Sequence, residues 1–158
     1  MQTEKFKTAV GKYPTGVTII STNYGNKLYG FTANSFNSVS LEPALISFCL
    51  NKKSHSFDTF LNSDSFAVSI LSSAQENVAN CFASSDINKF ENIDFIISEI
   101  GLPLVTNALS SIECKRYKNI ECGDHYIFIG RVLMVEINHS QECQDPLVYY
   151  KKSYRSLI

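Results

Sequence analysis

No run of basic residues in this chain is longer than a pair, and no apolar run approaches the ~20 residues of a membrane helix. With a formal net charge of −1, the first absence argues against nucleic acid or an anionic membrane surface as the main partner. The start, Met1-Gln2-Thr3-Glu4-Lys5-Phe6-Lys7, is too polar for a signal peptide, so a soluble cytoplasmic protein is the expectation. The cysteines (Cys49, Cys81, Cys114, Cys122, Cys143) are odd in number and form no C-x-x-C. That excludes the usual secreted disulfide framework and fits reduced thiols. Zinc would want close pairs, and Cys114, Cys122 and His125 lack a fourth ligand at typical spacing. Cys49 and Cys114 fall in strand-like runs, where a thiol acts as a small hydrophobe. Also missing are G-x-G-x-x-G, the Walker lysine loop, the G-x-S-x-G elbow and paired-histidine metal motifs. A nucleotide cofactor, if bound, must be held by another device.

What is present describes a globular chain. Hydrophobic residues make up 44% and charged residues 18% of 158, which leaves disorder without support. There is no repeat, low-complexity tract or linker, so residues 1–158 read as one domain. The opening dozen residues predict a short helix broken at Pro14. Gly16 to Thr22 and Lys27 to Thr32 predict a hairpin about Asn23 to Asn26. Ala44 to Leu50 is a nearly unbroken apolar run, the mark of a strand buried on both faces. Ser54 is placed to cap a helix to about Leu61, and Ser65 to Leu71 alternates as a half-buried strand. Ser73-Ala74-Gln75-Glu76 matches a capping box and predicts a helix to Ala83, burying Val78, Cys81 and Phe82. Asp94 to Ser98 reads as a short strand, and Gly101-Leu102-Pro103 as a break. Leu109 to Tyr117 and Tyr126 to Asn138 read as long strands joined by a turn from Asn119 to Asp124. Strands dominate and hairpins outnumber crossovers. The pattern favours a mainly β, antiparallel barrel with a few short helices.

Three clusters carry chemistry. Gly123-Asp124-His125 sets a carboxylate beside an imidazole where a turn feeds a long strand. An imidazole can donate, accept or shuttle a proton near neutral pH. Adjacent strand residues point to opposite faces, so the pair needs turn geometry to meet. Thr32-Ala33-Asn34-Ser35 and Ser38-Val39-Ser40 put small hydroxyl and amide side chains on a loop leaving a strand. Such a loop lets backbone N–H groups approach a heteroaromatic edge closely, although a plain polar loop is the commoner fate of such a cluster. Ser54, His55 and Ser56 near a helix start could receive a phosphate, where an ordinary cap would need only one of them. Lys89, beside Phe90, could add a positive charge, though most lysines are simply solvated. His139 lies in a polar loop and suggests nothing further.

In their order along the chain these segments resemble the flavin reductase family. Phe6 to Gly16 (Phe-x7-Pro-x-Gly) resembles the family's opening, Gly30 to Pro43 its flavin loop, and Asn51 to Ser56 its phosphate loop. Lys89-Phe90 resembles a basic–aromatic pair reaching the flavin phosphate. Gly101 to Leu104 with Ala108 to Cys114 resembles the central strand. Gly123 to Val132 resembles the nicotinamide-side motif, and Pro146 to Arg155 the terminal tail. The resemblance implies an FMN-binding split β-barrel that takes FMN or FAD, uses NAD(P)H, and builds each flavin site at a homodimer interface. It implies flavin contacts from Thr32, Ala33, Asn34, Ser35, Ser38, Val39 and Ser40. Asn51, Ser54, His55, Lys89 and Phe90 would lie near the phosphate, and Tyr154 near His125. His125, with Asp124 beside it, would meet the nicotinamide or flavin ring. Hydride would pass from nicotinamide C4 to flavin N5, and reduced flavin would leave to feed a monooxygenase. A flavin-carrying electron-transfer protein and a flavin-binding module without turnover remain rival readings at this point.

Overall fold

β-branched residues crowd the stretch after Gly16, and Gly25 and Asn26 both take left-handed backbone angles (φ 60° and 61°). That pair is what a two-residue hairpin between twisted strands requires. It joins β2 (Thr18–Tyr24) to β3 (Lys27–Ala33), antiparallel along their whole length. The computed structural model describes residues 2–140 and 145–157, so Cys143 lies outside the described residues. Ahead of the hairpin come helix α1 (Gln2–Val10) and the two-residue β1 (Thr15–Gly16). After it come β4 (Asn37–Leu41), β5 (Ala44–Asn51), α2 (Phe57–Asn62), β6 (Ser65–Ile70) and α3 (Glu76–Ala83). Then follow β7 (Phe95–Ile97), β8 (Pro103–Val105), β9 (Ser110–Cys122), β10 (His125–Ile137), β11 (Leu147–Tyr150) and β12 (Ser153–Ser156).

The main sheet has the order β3-β2-β6-β9-β10-β5-β4, with every pairing antiparallel. It rolls up. Phe31 on edge strand β3 meets Phe48 on β5 with ring centroids 5.8 Å apart, although β2, β6, β9 and β10 lie between them in the order. Phe48 is fully buried at the hub of an aromatic cluster, 4.9 Å from both Phe66 and Phe128 and 5.9 Å from Phe60. Gly130 on β10 makes this packing possible. A Cβ there would overlap Phe66 Cζ and stand 2.8 Å from Cys114 Cβ. β1, β11 and β12 form a small separate sheet, and β7–β8 is a hairpin laid over the β2–β6 face. Ser21 anchors that hairpin by donating to the Pro103 carbonyl at 2.6 Å.

Several expectations change. The stretch expected as one loop contains β4, which pairs with β5 from Asn37–Ser47 to Leu41–Ala44. β5 is not buried on both faces: Ile46, Phe48 and Leu50 are buried while Ser47, Cys49 and Asn51 are half-exposed. Its second face is left for something other than this chain's core. β6 errs the other way, with Phe66 to Ser69 all buried because the β7–β8 hairpin covers the polar-looking side. The capping box starts one residue early, the Ser72 N–H donating to Gln75 Oε1 at 3.1 Å. The following turn is 3-10 before α3 begins. Cys81 is half-buried, and Ala79 takes the buried place beside Val78 and Phe82. Ser54 does not cap α2. Its carbonyl accepts from Phe57 N–H at 3.1 Å, and Ser56 holds the N-cap position without a side-chain bond. The β9–β10 turn shrinks to Gly123-Asp124, Gly123 taking φ 61°. The Gly101 break is the turn of the β7–β8 hairpin, also left-handed at φ 84°.

Burial pushes the Cys114 thiol up to about 12, the neighbouring Glu113 charge adding to the effect. Cys122, at the end of β9, is exposed. Alkylation at pH 8, where only the thiolate reacts, is therefore expected to label Cys122 and spare Cys114 until the chain unfolds. Peptide mass mapping after timed quenching checks this.

Candidate functional site

The register of the sheet brings two sequence-distant motifs together. His125 opens β10 opposite Asn51 at the end of β5 and opposite Cys122 on β9. Phe128 points into the core, so alternation turns His125 and Ile127 to the other face. The tight turn lets the imidazole Nδ1 reach Asp124 Oδ1 at 2.7 Å, with 44% of the histidine side chain exposed. The hydrogen bond to His125, followed by its charge, holds the Asp124 carboxyl below its ordinary range. Asp124 is thus an ionised orienting group throughout the neutral range.

The same turn is bound to the Asn51–Ser56 loop. The Lys52 N–H donates to the Asp124 carbonyl at 3.0 Å, the Lys52 ammonium pairs with Glu121, and it sits 5.8 Å from the centre of the Tyr126 ring. Asn51 Oδ1 accepts from Lys53 N–H at 2.8 Å and stiffens the loop. Sequence reasoning passed over Lys52, Glu121 and Tyr126. Their only sequence signal was proximity to motifs already noticed, because the contacts depend on strand register.

Ser54, His55, Lys89 and Phe90 do converge. They line a groove of about 480 Å³ along the free edge of β3, with Tyr29, Gly30 and Thr32. The hydroxyls of Ser54 and Ser56 stand 3.3 Å apart. The Lys89 ammonium is half-buried and donates to the Phe82 carbonyl at 2.9 Å and the Gly30 carbonyl at 3.3 Å. Burial lowers its pKa, against the opposing pull of Cys81 and Asp86. One of its N–H groups is left for an incoming anion. Thr32 and Ala83 also line a second cavity of about 200 Å³, with Val17, Asn34, Tyr149 and Tyr154. There Tyr149 and Tyr154 pack with centroids 5.6 Å apart.

The small hydroxyls of the flavin-loop stretch are partly committed elsewhere. Thr32 donates to the Ala79 carbonyl at 2.6 Å. Ser35 accepts from the Cys49 N–H at 2.9 Å and donates back to that residue's carbonyl at 3.3 Å, so it continues the β5 ladder past the end of β4. Ala33 is buried, its carbonyl accepting from Thr18 at 2.8 Å. Asn34 is exposed, as are Ser38 and Val39. Ser38 pairs with Ile46 and Ser40 with Leu45, and a register shift leaves Val39 unpaired between them. None of Ser38, Val39, Ser40 or His125 borders the β3 groove. A further cavity of about 510 Å³, beside α3 at Gln75 and Asn77, contains none of the residues predicted for the site. Among the described residues no group of three or more His, Cys, Asp or Glu side chains could hold a metal ion.

Gly30 sets the shape of the β3 groove, since a Cβ there would stand 2.7 Å from the Phe82 ring. That ring packs edge-on against Phe90 at 4.9 Å. Gly30→Ala is expected to push Phe82 and Phe90 outward, destabilise the fold by roughly 1–2 kcal/mol, and weaken binding of a phosphorylated flavin more than that of riboflavin. Urea unfolding with parallel flavin titrations checks both effects.

Comparison with known proteins identifies the family. The family described as "Flavin reductase like domain" matches residues 10–157. The reductase subunit HsaB of a flavin-dependent monooxygenase from Rhodococcus jostii (strain RHA1) is 36% identical over 154 residues, covering 97% of this chain and 77% of that protein. A probable flavin reductase from Rhizobium meliloti (strain 1021) is 39% identical over 129 residues, 81% of this chain and only 42% of that longer protein. Among solved structures, the NADH:FAD oxidoreductase SgcE6 of Streptomyces globisporus C-1027, in complex with NAD and FAD fragments, superposes with a TM-score of 0.92. It is 30% identical and covers 99% of this chain and 93% of that one. This chain belongs to the flavin reductase-like family.

Proposed function

We propose that this chain is a cytoplasmic NAD(P)H-dependent flavin reductase that works as a homodimer of split-barrel domains and passes reduced flavin to a separate monooxygenase. The observation that carries the reading is the junction of two motifs: His125 opposite Asn51, with the Lys52 N–H bonded to the Asp124 carbonyl at 3.0 Å. A phosphate loop and a ring-facing imidazole are thereby locked into one frame. The residues present suit a flavin. Ser54, Ser56 and Lys89 offer donors for a phosphate, and the half-exposed face of β5 with Asn34, Ser38 and Ser40 offers small polar groups for a ring edge.

When bound, the flavin supplies an electron-accepting ring and the nicotinamide supplies the hydride. This chain's part is positional and electrostatic. Asp124 fixes the ring orientation of His125, and His125 would contact the nicotinamide or flavin ring and could relay a proton at Nε2. Ser54 and Lys89 hold the phosphate end. The homodimer reading is supported by apolar side chains that this chain leaves in water: Leu41 is 93% exposed, and Leu133, Met134, Val135 and Ile137 are exposed on β10 beyond its pairing with β5. Among the described residues no helix is long and apolar enough to cross a membrane.

NADH and NADPH oxidation in air, where dioxygen reoxidises the reduced flavin, with and without added FMN or FAD, tests the reading. Flavin-dependent turnover is expected. Turnover that needs no added flavin, from a protein that keeps its flavin through purification, would point instead to an electron carrier.

Lys89→Ala is expected to weaken FMN tenfold or more and to leave riboflavin nearly unchanged, one charge-assisted hydrogen bond being worth roughly 1.5–3 kcal/mol. Equal losses for both ligands would show that Lys89 only ties α3 to β3. Fluorescence titration of each flavin reads the difference.

A further inference from the structure

We propose that the cavity beside the start of α3 is a second ligand site, built for a small hydroxylated amine of amino-sugar size. It uses none of the residues assigned to the flavin and does not rest on that reading. Its volume of about 510 Å³ falls among cavities that take whole small molecules. It parts from the β3 groove within a single 3-10 turn, Lys89–Asn92. Lys89 and Phe90 line the groove, whereas Glu91 and Asn92 line this cavity.

The floor is buried and carries one unused donor. Gln75 is committed to holding it: Oε1 accepts from the Ser72 N–H at 3.1 Å, and Nε2 donates to the Thr106 carbonyl at 2.8 Å. Asn138 is tied in the same way, donating to the Ala108 carbonyl at 3.2 Å and accepting from the Ser140 N–H at 2.9 Å. Ser72 differs. Its side chain is fully buried on the cavity wall, and its hydroxyl proton has no acceptor among the described residues. Such a donor is costly when left unpaired, and a ligand oxygen seated there would satisfy it.

The rim sets the charge of the ligand. Glu91 and Asp94 are exposed there, and neither forms a salt bridge among the described residues. No lysine, arginine or histidine is among the described lining residues, so the opening attracts a cation. A metal ion suits it poorly, because no group of three or more ligating side chains is present among the described residues. No aromatic ring lines it either, and a quaternary ammonium would lack the cage that binds it best. An amine with N–H donors matches two carboxylates. A ligand carboxylate would be repelled by the same pair, so the oxygen over Ser72 belongs to a hydroxyl. Asn77, Asn92 and Asn107 offer amides for further hydroxyls.

The test is isothermal titration of the full chain with glucosamine. Glucose (hydroxyls without charge), putrescine (charge without hydroxyls) and calcium chloride are titrated beside it. Two variants are compared, Ser72→Ala and the double variant Glu91→Gln with Asp94→Asn, with folding verified by circular dichroism. Glucosamine is expected to bind one-to-one, and glucose and putrescine about tenfold more weakly or less. The double variant is expected to lose about tenfold for glucosamine and Ser72→Ala about fivefold, as lost charge-assisted and neutral hydrogen bonds would give. FMN affinity, followed by fluorescence in the same samples, is expected to stay at its native value. No saturation by about 10 mM glucosamine overturns the proposal. Equal binding of putrescine overturns the hydroxylated class, and calcium that displaces glucosamine makes the site a metal site instead. Native glucosamine affinity in both variants puts the binding elsewhere and overturns the assignment. Each of these failures leaves the flavin reading standing, and a failure to bind FMN removes that reading alone.

Discussion

Phe48→Ala is expected to cost about 3–5 kcal/mol of folding stability. One ring contacts four others, Phe31, Phe60, Phe66 and Phe128, and these come from β3, α2, β6 and β10. Because Phe31 and Phe48 lie on strands far apart in the sheet order, the ring also holds the roll of the sheet. Its removal should open the edges as well as leave a cavity. The midpoint of thermal unfolding should fall by roughly 10 °C, at about 2–4 °C per kcal/mol for a chain of this size. Differential scanning calorimetry measures the shift. A loss under about 1 kcal/mol would mean that the neighbouring rings close over the gap and that Phe48 is not the hub described.

His125→Ala carries the largest expected effect on chemistry. Hydride transfer should slow tenfold or more, at least ~1.4 kcal/mol of transition-state stabilisation, with KM for NAD(P)H raised and the flavin dissociation constant nearly unchanged. The split follows from the geometry, since His125 lies outside the β3 groove where the phosphate donors converge. Asp124→Asn should do less, because the carboxylate only orients and charges the imidazole across 2.7 Å. Anaerobic stopped-flow reduction of bound flavin isolates this step. Native reduction rates in His125→Ala would leave the residue as a turn histidine and withdraw its role.

The sequence was most legible where local chemistry decides the backbone. The Gly25-Asn26 hairpin, the α3 helix and the Gly123-Asp124 turn are written in residues that few other conformations suit. It was least legible where a neighbour decides. The alternation of β6 suggested an exposed face, yet the β7–β8 hairpin covers it, and no periodicity within Ser65–Ile70 records that. β4 was hidden for a related reason: Asn37 to Leu41 is a polar edge strand whose existence depends on pairing with β5. The family resemblance supplied the segments of the candidate site, but not their connections. That Lys52 would join the Asp124 turn, that Ser35 would satisfy Cys49, and that Lys89 would bond two carbonyls are consequences of register and packing. Single residues do not announce them.

The position of Lys89 has an effect on proton uptake. Its ammonium rests against the Phe82 carbonyl in the last turn of α3, where the negative end of the helix dipole lies. Burial lowers its pKa, so the free protein holds this proton less firmly than an ordinary lysine does. A phosphate arriving beside it favours the charged form and pulls the pKa back up. Binding of a phosphorylated flavin is then linked to protonation. Affinity is full below the lowered pKa of the free protein, and it weakens as pH rises through that value toward the higher value of the complex. Riboflavin, which has no phosphate, should show no such dependence, so the alkaline limb of the binding curve measures how much of the helix-capping charge the ligand shares.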